Sequence, residues 1–270
     1  VIAFAIGDLA IRVEGLVPAA EAQALALWGR FLVGDPRSPW IDVVVGHAPE
    51  AGTPERFDAK QLRVERLTGS CRLSMHGAHA DVPDDGVVRI TLDGGDPGRS
   101  ALAVLNVLHA TIAWRIVERG GLLLHAASAV LGGRGFVLVG AEGSGKSTWA
   151  RGMAASGAIA LGDDIALVLP SATGFDLVGS PLRAKEFGGG TPGRWPLAAI
   201  LLPRQAERPS LSPASGLEVH AALAANLPFA IDRGIEPFLA VAGALARTPA
   251  RRLAFTRTDA GAALLSTMTA

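Results

Sequence analysis

The segment Gly140-Ala-Glu-Gly-Ser-Gly-Lys-Ser147 has the spacing G-x-x-x-x-G-K-S that phosphate binding calls for. Gly140, Gly143 and Gly145 let backbone N–H groups curl around phosphate oxygens without Cβ clashes. Lys146 offers a compact cation to the β- and γ-phosphates, and Ser147 offers a hydroxyl to Mg²⁺. A helix opening at Ser147 would aim its positive end at the anion. Glu142, Ser144 and Thr148 complete the stretch expected to touch a nucleotide. Of the 25 basic residues, 22 are Arg and three are Lys: Lys60, Lys146 and Lys185. Lys146 thus stands where the loop needs a point charge, in a chain that uses Arg almost everywhere else.

Asp163 and Asp164 follow Lys146 by 17 and 18 residues, at the end of the apolar stretch Ala158–Leu161. A strand there that returns beside the phosphate-loop strand would bring both carboxylates to the γ-phosphate. One would hold Mg²⁺, directly or through water. The other would take the proton of an attacking hydroxyl. His125 lies fifteen residues before Gly140, inside the apolar run Leu122–Val130. On its own such a histidine is ordinarily a hydrogen-bonded core residue. Arg183 and Lys185 alternate after Pro181 and read either as a grip on the γ-phosphate or an acidic acceptor, or as a solvated pair. The glycines at 188–190 suit a lid, an acceptor loop or a plain connection. His76, His79 and Asp81 have loop spacing and too few companions for a metal site. Trp149 and His109 read as packed residues, and Arg251-Arg252 as a surface pair.

His125, the loop Gly140–Ser147 and the pair Asp163-Asp164 together resemble the catalytic domain of HPr kinase/phosphorylase and its relatives. The run Leu124-His-Ala-Ala-Ser-Ala-Val130 is most similar to the shorter kinases of peptide-maturation clusters, among them those that phosphorylate the C-terminal serine of lasso-peptide precursors. The resemblance covers about residues 105–265, with its specific motifs in 122–164. It implies a P-loop kinase fold shared with phosphoenolpyruvate carboxykinase, with ATP and Mg²⁺ as cofactors and a serine-bearing peptide or protein as acceptor. It also implies roles: Lys146 on phosphate, Ser147 and Asp164 on Mg²⁺, Asp163 as general base, His125 beside the transferring group. Related kinases are often oligomeric, so the resemblance allows a homo-oligomer, while the sequence itself does not give the oligomeric state. Residues Gly179–Gly190 are only loosely similar to the glycine-rich signature that governs phosphorolysis and HPr contact. The resemblance therefore does not extend to those two properties.

These residues need a scaffold. The sequence predicts strands over Leu122–Leu131, Gly135–Val139, Ala158–Leu161 and Ile165–Leu169, with a helix after the loop. This alternation reads as an α/β layer around a central sheet. Strand Ala198–Leu202, helices near 216–225 and 235–246, strand Arg252–Phe255 and a terminal helix from Asp259 follow, with Pro203–Pro213 as an exposed loop. The first half reads as a smaller α+β unit. Its strands are Val1–Ile6, Leu9–Val13, Trp40–Gly46, Leu62–Leu67, Cys71–Met75 and Val87–Leu92, and its helix runs from Pro18 to Leu32. An antiparallel sheet is expected. Gly94–Gly98 is the strongest break, and Ser100 is expected to cap a helix that ends at Gly120-Gly121. The boundary is set near 98, giving an accessory domain 1–98 that recruits the acceptor and a kinase domain 99–270.

Composition narrows the classes. The 270 residues carry 25 basic and 25 acidic side chains, with 49% hydrophobic and 19% charged residues. That excludes a disordered chain and gives no broad field for nucleic acid. The lone Cys71 excludes an intramolecular disulfide and a cysteine zinc cluster, so a cytoplasmic setting is expected. The most apolar stretch, Ala101–Val117, is broken by Asn106, His109 and Arg115, which argues against membrane insertion. The chain begins at Val1 and shows no signal-peptide pattern. The leading expectation is an ATP- and Mg²⁺-dependent serine kinase. The alternatives are a small-molecule kinase on the same core and a nucleotide-sensing module without transfer.

Overall fold

Period-two alternation of buried and exposed side chains builds the first sheet. In the computed structural model, which describes residues 1–47, 63–75, 78–92, 97–182, 190–230 and 234–269, the chain is mixed α/β with two sheets. It divides into two compact units, Val1–Arg115 and Ile116–Ala270.

The first unit holds β1 (Ile2–Ile6), β2 (Leu9–Glu14), α1 (Pro18–Trp28), β3 (Ile41–His47), β4 (Arg63–Leu67), β5 (Ser70–Met75), β6 (Ala78–Pro83) and β7 (Val88–Leu92). Its sheet order is β1-β2-β3-β7-β6-β5-β4. The sheet is mixed, not antiparallel as the sequence suggested. α1 returns the chain so that β3 runs parallel to β2, and β7 runs parallel to β3. Strand β6 escaped sequence reading because its inward positions include only small residues, Ala78 and Ala80, before Val82, while His79 and Asp81 face out. His79 Nδ1 lies 3.0 Å from Ser74 Oγ across the β5–β6 pair. His76 lies outside the described residues, and among the described residues no His/Cys/Asp/Glu cluster could hold a metal.

Helix α2 (Pro97–Glu118) starts three residues before Ser100, so Ser100 lies inside it and is not its cap. Gly120, at φ 72°, ends it. Arg115 donates to the carbonyls of Pro83 (3.0 Å) and Gly86 (2.9 Å), tying α2 to the first sheet. The boundary expected near 98 falls at the start of α2, whereas the two units divide near its end. His109 is 4% exposed, a packed residue as its apolar helix implied. Among the described residues no helix is long and apolar enough to cross a membrane.

The second unit contains β8 (Leu122–Leu124), β9 (Ala126–Leu131), β10 (Arg134–Val139), α3 (Lys146–Ala155), β11 (Ile159–Gly162), β12 (Ala166–Ser171) and β13 (Gly174–Val178). After these come β14 (Arg194–Gln205), β15 (Ser210–Pro213), α4 (Gly216–Ala225), α5 (Glu236–Leu245), β16 (Ala250–Phe255) and α6 (Ala262–Ser266). The sheet order is β11-β9-β10-β14-β13-β12-β8, with β16 on β14 and β15 on β16. The loop expected over 203–213 instead holds the end of β14 and all of β15. Pro203 is tolerated in β14, where it sits opposite Leu253 of the parallel strand β16. Trp149, Ala150 and Met153 of α3 pack on Phe136, Leu138, Leu201 and Phe255, so the helix after the loop is seated on the sheet's core face.

The expected strand Leu122–Leu131 is broken at His125. Leu122–Leu124 pair with β12, while Ala126–Leu131 pair with β10 and β11. The chain changes partners at the histidine, and that is the physical reason for the break.

Candidate functional site

Strand direction brings the candidate residues together. β9 is antiparallel to β10, with Ala126 opposite Val139, and antiparallel to β11, with Ser128 opposite Gly162. The start of β9 therefore lies at the same sheet end as the ends of β10 and β11. His125 precedes β9, Gly140 follows β10 and Asp163 follows β11, so all three meet there. β14 is parallel to β10, and β16 to β14, so Gln205 and Phe255 finish at that end too. Ligands of α/β sheets collect at such strand ends. The Asp pair does not sit on a strand neighbouring β10, as the sequence reading supposed, because β9 intervenes.

The loop between β10 and α3 depends on its glycines. Gly143 has φ 76° and Gly145 φ 95°, conformations that L side chains rarely adopt. Gly145 is the N-cap of α3, and Trp149 N–H donates to its carbonyl at 2.9 Å. A Cβ on Gly140 would lie 2.4 Å from Pro203 Cγ, so only glycine lets the loop leave β10 this close to β14. Lys146 is 8% exposed, and its Nζ donates to the carbonyls of Gly140 (2.8 Å) and Ala141 (3.1 Å). The loop is thus wrapped around the ammonium at the helix start, next to the amides of the first turn.

Gly162 allows the turn that carries the aspartates, since a Cβ there would come within 2.9 Å of the Ile165 carbonyl oxygen. Asp163 is 3% exposed, and its Oδ1 is buried without a hydrogen-bond partner. Asp164 is also buried, and its Oδ1 lies 3.1 Å from His125 Nδ1. The side chain of His125 is 40% exposed, so it faces the site instead of the core. Its backbone is clamped on both sides. His125 N–H donates to the Asn226 carbonyl at 2.9 Å, and Ala126 N–H donates to the Asp164 carbonyl at 3.2 Å. Asn226 is the C-cap of α4 and donates through Nδ2 to Ala222 O at 2.8 Å.

One pocket of about 1120 Å³ takes in His125, Asp163, Asp164 and the loop residues Glu142, Gly143, Gly145, Lys146, Ser147 and Thr148. Gly140 and Ser144 are not part of its lining. The Ser144 Oγ is buried without a hydrogen-bond partner, and its N–H donates to Ala141 O at 3.2 Å. Arg183 and Lys185 lie outside the described residues. The pocket continues past the sequence-predicted set, along Arg151, Gly152 and Ala155 of α3 to Gln205-Ala206 and Phe255–Thr258. Sequence reasoning missed these residues because they follow strands of no distinctive pattern. The one available signal was the i, i+3 spacing of small residues at 152 and 155.

The donor set suits a magnesium–nucleotide complex. Mg²⁺ usually takes one or two protein ligands and completes its shell with phosphates and water. A built-in cage of three or more acidic or imidazole groups, absent among the described residues, is therefore not required. The orphaned Asp163 oxygen and the cradled Lys146 give the pocket opposite charges along one wall.

No curated protein matches the chain. Residues 91–225, half of the chain, match the family described as SynChlorMet cassette protein ScmC, and the chain belongs to that family.

Proposed function

We propose that this protein is an ATP- and Mg²⁺-dependent kinase with an HPr-kinase-like P-loop core that phosphorylates a serine hydroxyl of a peptide or protein. The observation that carries the reading is the meeting of three sequence-distant segments in one pocket: His125, the loop through Lys146 and Ser147, and Asp163-Asp164. A sensor needs the loop alone. A buried carboxylate oxygen with no partner beside that loop is a costly feature that suits a proton acceptor.

In this reading Asp163 accepts the proton of the serine hydroxyl as its oxygen bonds to the γ-phosphorus and the bond to the ADP oxygen breaks. Lys146 and the loop amides neutralise the charge that spreads over the phosphoryl oxygens. Ser147 and Asp164 hold the metal that accompanies the nucleotide. His125 orients the Asp164 carboxylate through its Nδ1 contact. The first unit recruits the acceptor, and the description of the family as a cassette protein fits an enzyme that works with co-encoded proteins.

Incubation with ATP, Mg²⁺ and a serine-bearing candidate peptide, read by mass spectrometry, tests the activity. A gain of one phosphoryl group on serine that vanishes in Asp163→Asn supports it. Nucleotide binding without transfer to any peptide, protein or small hydroxyl compound sinks it. Photo-crosslinking of the same peptide to the full chain tests recruitment. Crosslinks within 1–115 are expected, and crosslinks confined to 116–270 would refute it.

A further inference from the structure

The pocket has two sides, divided by β10. In the sheet, β9 and β11 lie on one side of that strand, and β14 and β16 on the other. Every carboxylate of the lining stands in the loop or just after β11: Glu142, Asp163 and Asp164. The side of β14 and β16 adds none to the lining. Its residues are Gln205, Ala206 and Phe255–Thr258. The metal and the reacting phosphoryl group of the proposed mechanism belong with the carboxylates, because Mg²⁺ takes oxygen ligands and the base must reach the attacking hydroxyl. A triphosphate is a linear chain. With its terminal phosphate on the aspartate side, its other end points across β10 toward β14 and β16.

The loop is in contact with that second side. A Cβ on Gly145, the N-cap of α3, would lie 2.9 Å from Phe255 Cζ and 3.7 Å from Gln205 Nε2. Phe255 is buried in the core with Trp149 of α3, whereas Gln205 is exposed. The amide end of Gln205 therefore sits beside the loop, on the side away from the aspartates. An amide both donates and accepts, as sugar hydroxyls and base edges do, while phosphate oxygens chiefly accept. The wall behind Gln205 is firm. Ala206 N–H donates to Phe255 O at 3.2 Å, and Thr256 N–H to Asp259 O at 3.0 Å. A Cβ on Gly152 would lie 2.8 Å from Ala260 Cβ, so the turn after β16 is packed on α3. Arg151 and Arg257 add donors to the same half of the lining. The whole pocket, about 1120 Å³, is at the upper end of the range for small-ligand sites, about 300–1,000 Å³. That is room for more than the phosphates.

We propose that the nucleoside of the donor lies over the ends of β14 and β16, with the Gln205 amide hydrogen-bonded to its sugar or base. The inference rests on the kinase reading and adds the direction in which the nucleotide lies. It leaves the aspartate side open to the acceptor.

Two measurements on the full chain with Mg²⁺ test it. The first is photolabelling with 8-azido-ATP, with and without excess ATP, followed by peptide mapping. ATP-protected label is expected within 204–206 or 255–258. Its absence from both segments, or its confinement to peptides holding His125 or Asp163-Asp164, overturns the inference. The second is equilibrium binding of ATP and inorganic tripolyphosphate to wild type and Gln205→Ala. The variant should bind ATP about 3–10-fold more weakly, the loss of one hydrogen bond, and tripolyphosphate as tightly as before. Unchanged tripolyphosphate binding also shows that the loop is intact. Equal weakening of both ligands would make Gln205 a phosphate contact, and no weakening of either would remove it from the site; each result overturns its assigned part. If neither ATP nor tripolyphosphate binds the wild type, the phosphate-loop reading itself falls, and the inference with it.

Discussion

Asp163 illustrates what a reactive residue does to its host. Its Oδ1 is buried and has no hydrogen-bond partner, an arrangement that costs about 1–3 kcal/mol in a folded protein. Asp163→Asn removes the charge and keeps the shape. It should stabilise the protein by about 1 kcal/mol, a rise in Tm of about 2–4 °C, while phosphotransfer falls by about 10²-fold or more. Calorimetry and a transfer assay on one preparation check both, and a lower Tm would mean the carboxylate is structurally supported. Lys146→Ala is predicted to differ. It deletes two bonds to loop carbonyls, so Tm should fall slightly, by about 1 kcal/mol in stability terms, and transfer should be lost. Full transfer activity in this variant would remove the loop from the mechanism. The candidate residues at this scale were legible because phosphate chemistry dictates residue type and spacing together. The pairing of His125 with Asp164 was not, since it depends on which strands lie side by side.

Elements carry the positioning, and two of them yield tests. Gly140 ends β10 against Pro203 of β14. A rigid proline ring cannot give way to the Cβ of Gly140→Ala, which would lie 2.4 Å from Pro203 Cγ. Overpacking of this kind costs about 1–3 kcal/mol, and the displaced loop should bind nucleotide more weakly, as a Tm and titration series would register. Helix α4 is fixed at its other end. Ser215 and Glu218 form a capping box, and Arg252 of β16 donates to Glu218 Oε1 at 2.9 Å. The Ser215 bonds first, and then Arg252, hold the Glu218 carboxyl down to about 2, below its ordinary value. Because the folded value is the lower one, the carboxylate's contribution is fully present above the unfolded value of about 4.3 and is lost as pH falls toward 2. The Tm gap between the wild type and Glu218→Gln should therefore be constant from pH 7 to about pH 5 and shrink below it. A gap unchanged at pH 2.5 would show that the ionised carboxylate is not what fixes the helix. Strand existence was largely readable from alternation. The break at His125 was not, because an unbroken apolar run gives no sign that its two halves pair with different strands.

At the scale of the whole molecule, α2 decides where the chain can be cut. The composition break at Gly94–Gly98 suggested a boundary there, and the family match from residue 91 takes in the entire helix with most of the second unit's motifs. Yet through Arg115 the helix belongs to the first unit. Leu108, Ile112 and Trp114 are fully buried, and Arg115 bonds the carbonyls of Pro83 and Gly86. Linker composition marks where a chain turns, not which sheet a helix packs on, and so the sequence could not place α2. A fragment 99–270 keeps the helix but lacks β1–β7. It should leave the nearly buried Arg115 guanidinium without the Pro83 and Gly86 carbonyls, a cost of about 1–3 kcal/mol. Size-exclusion and amide exchange should find it aggregated or with α2 unprotected, while the same measurements on the full chain find α2 among the slowest-exchanging segments. A monodisperse fragment 99–270 with α2 as protected as in the full chain would show that the helix takes its stability from residues after 115.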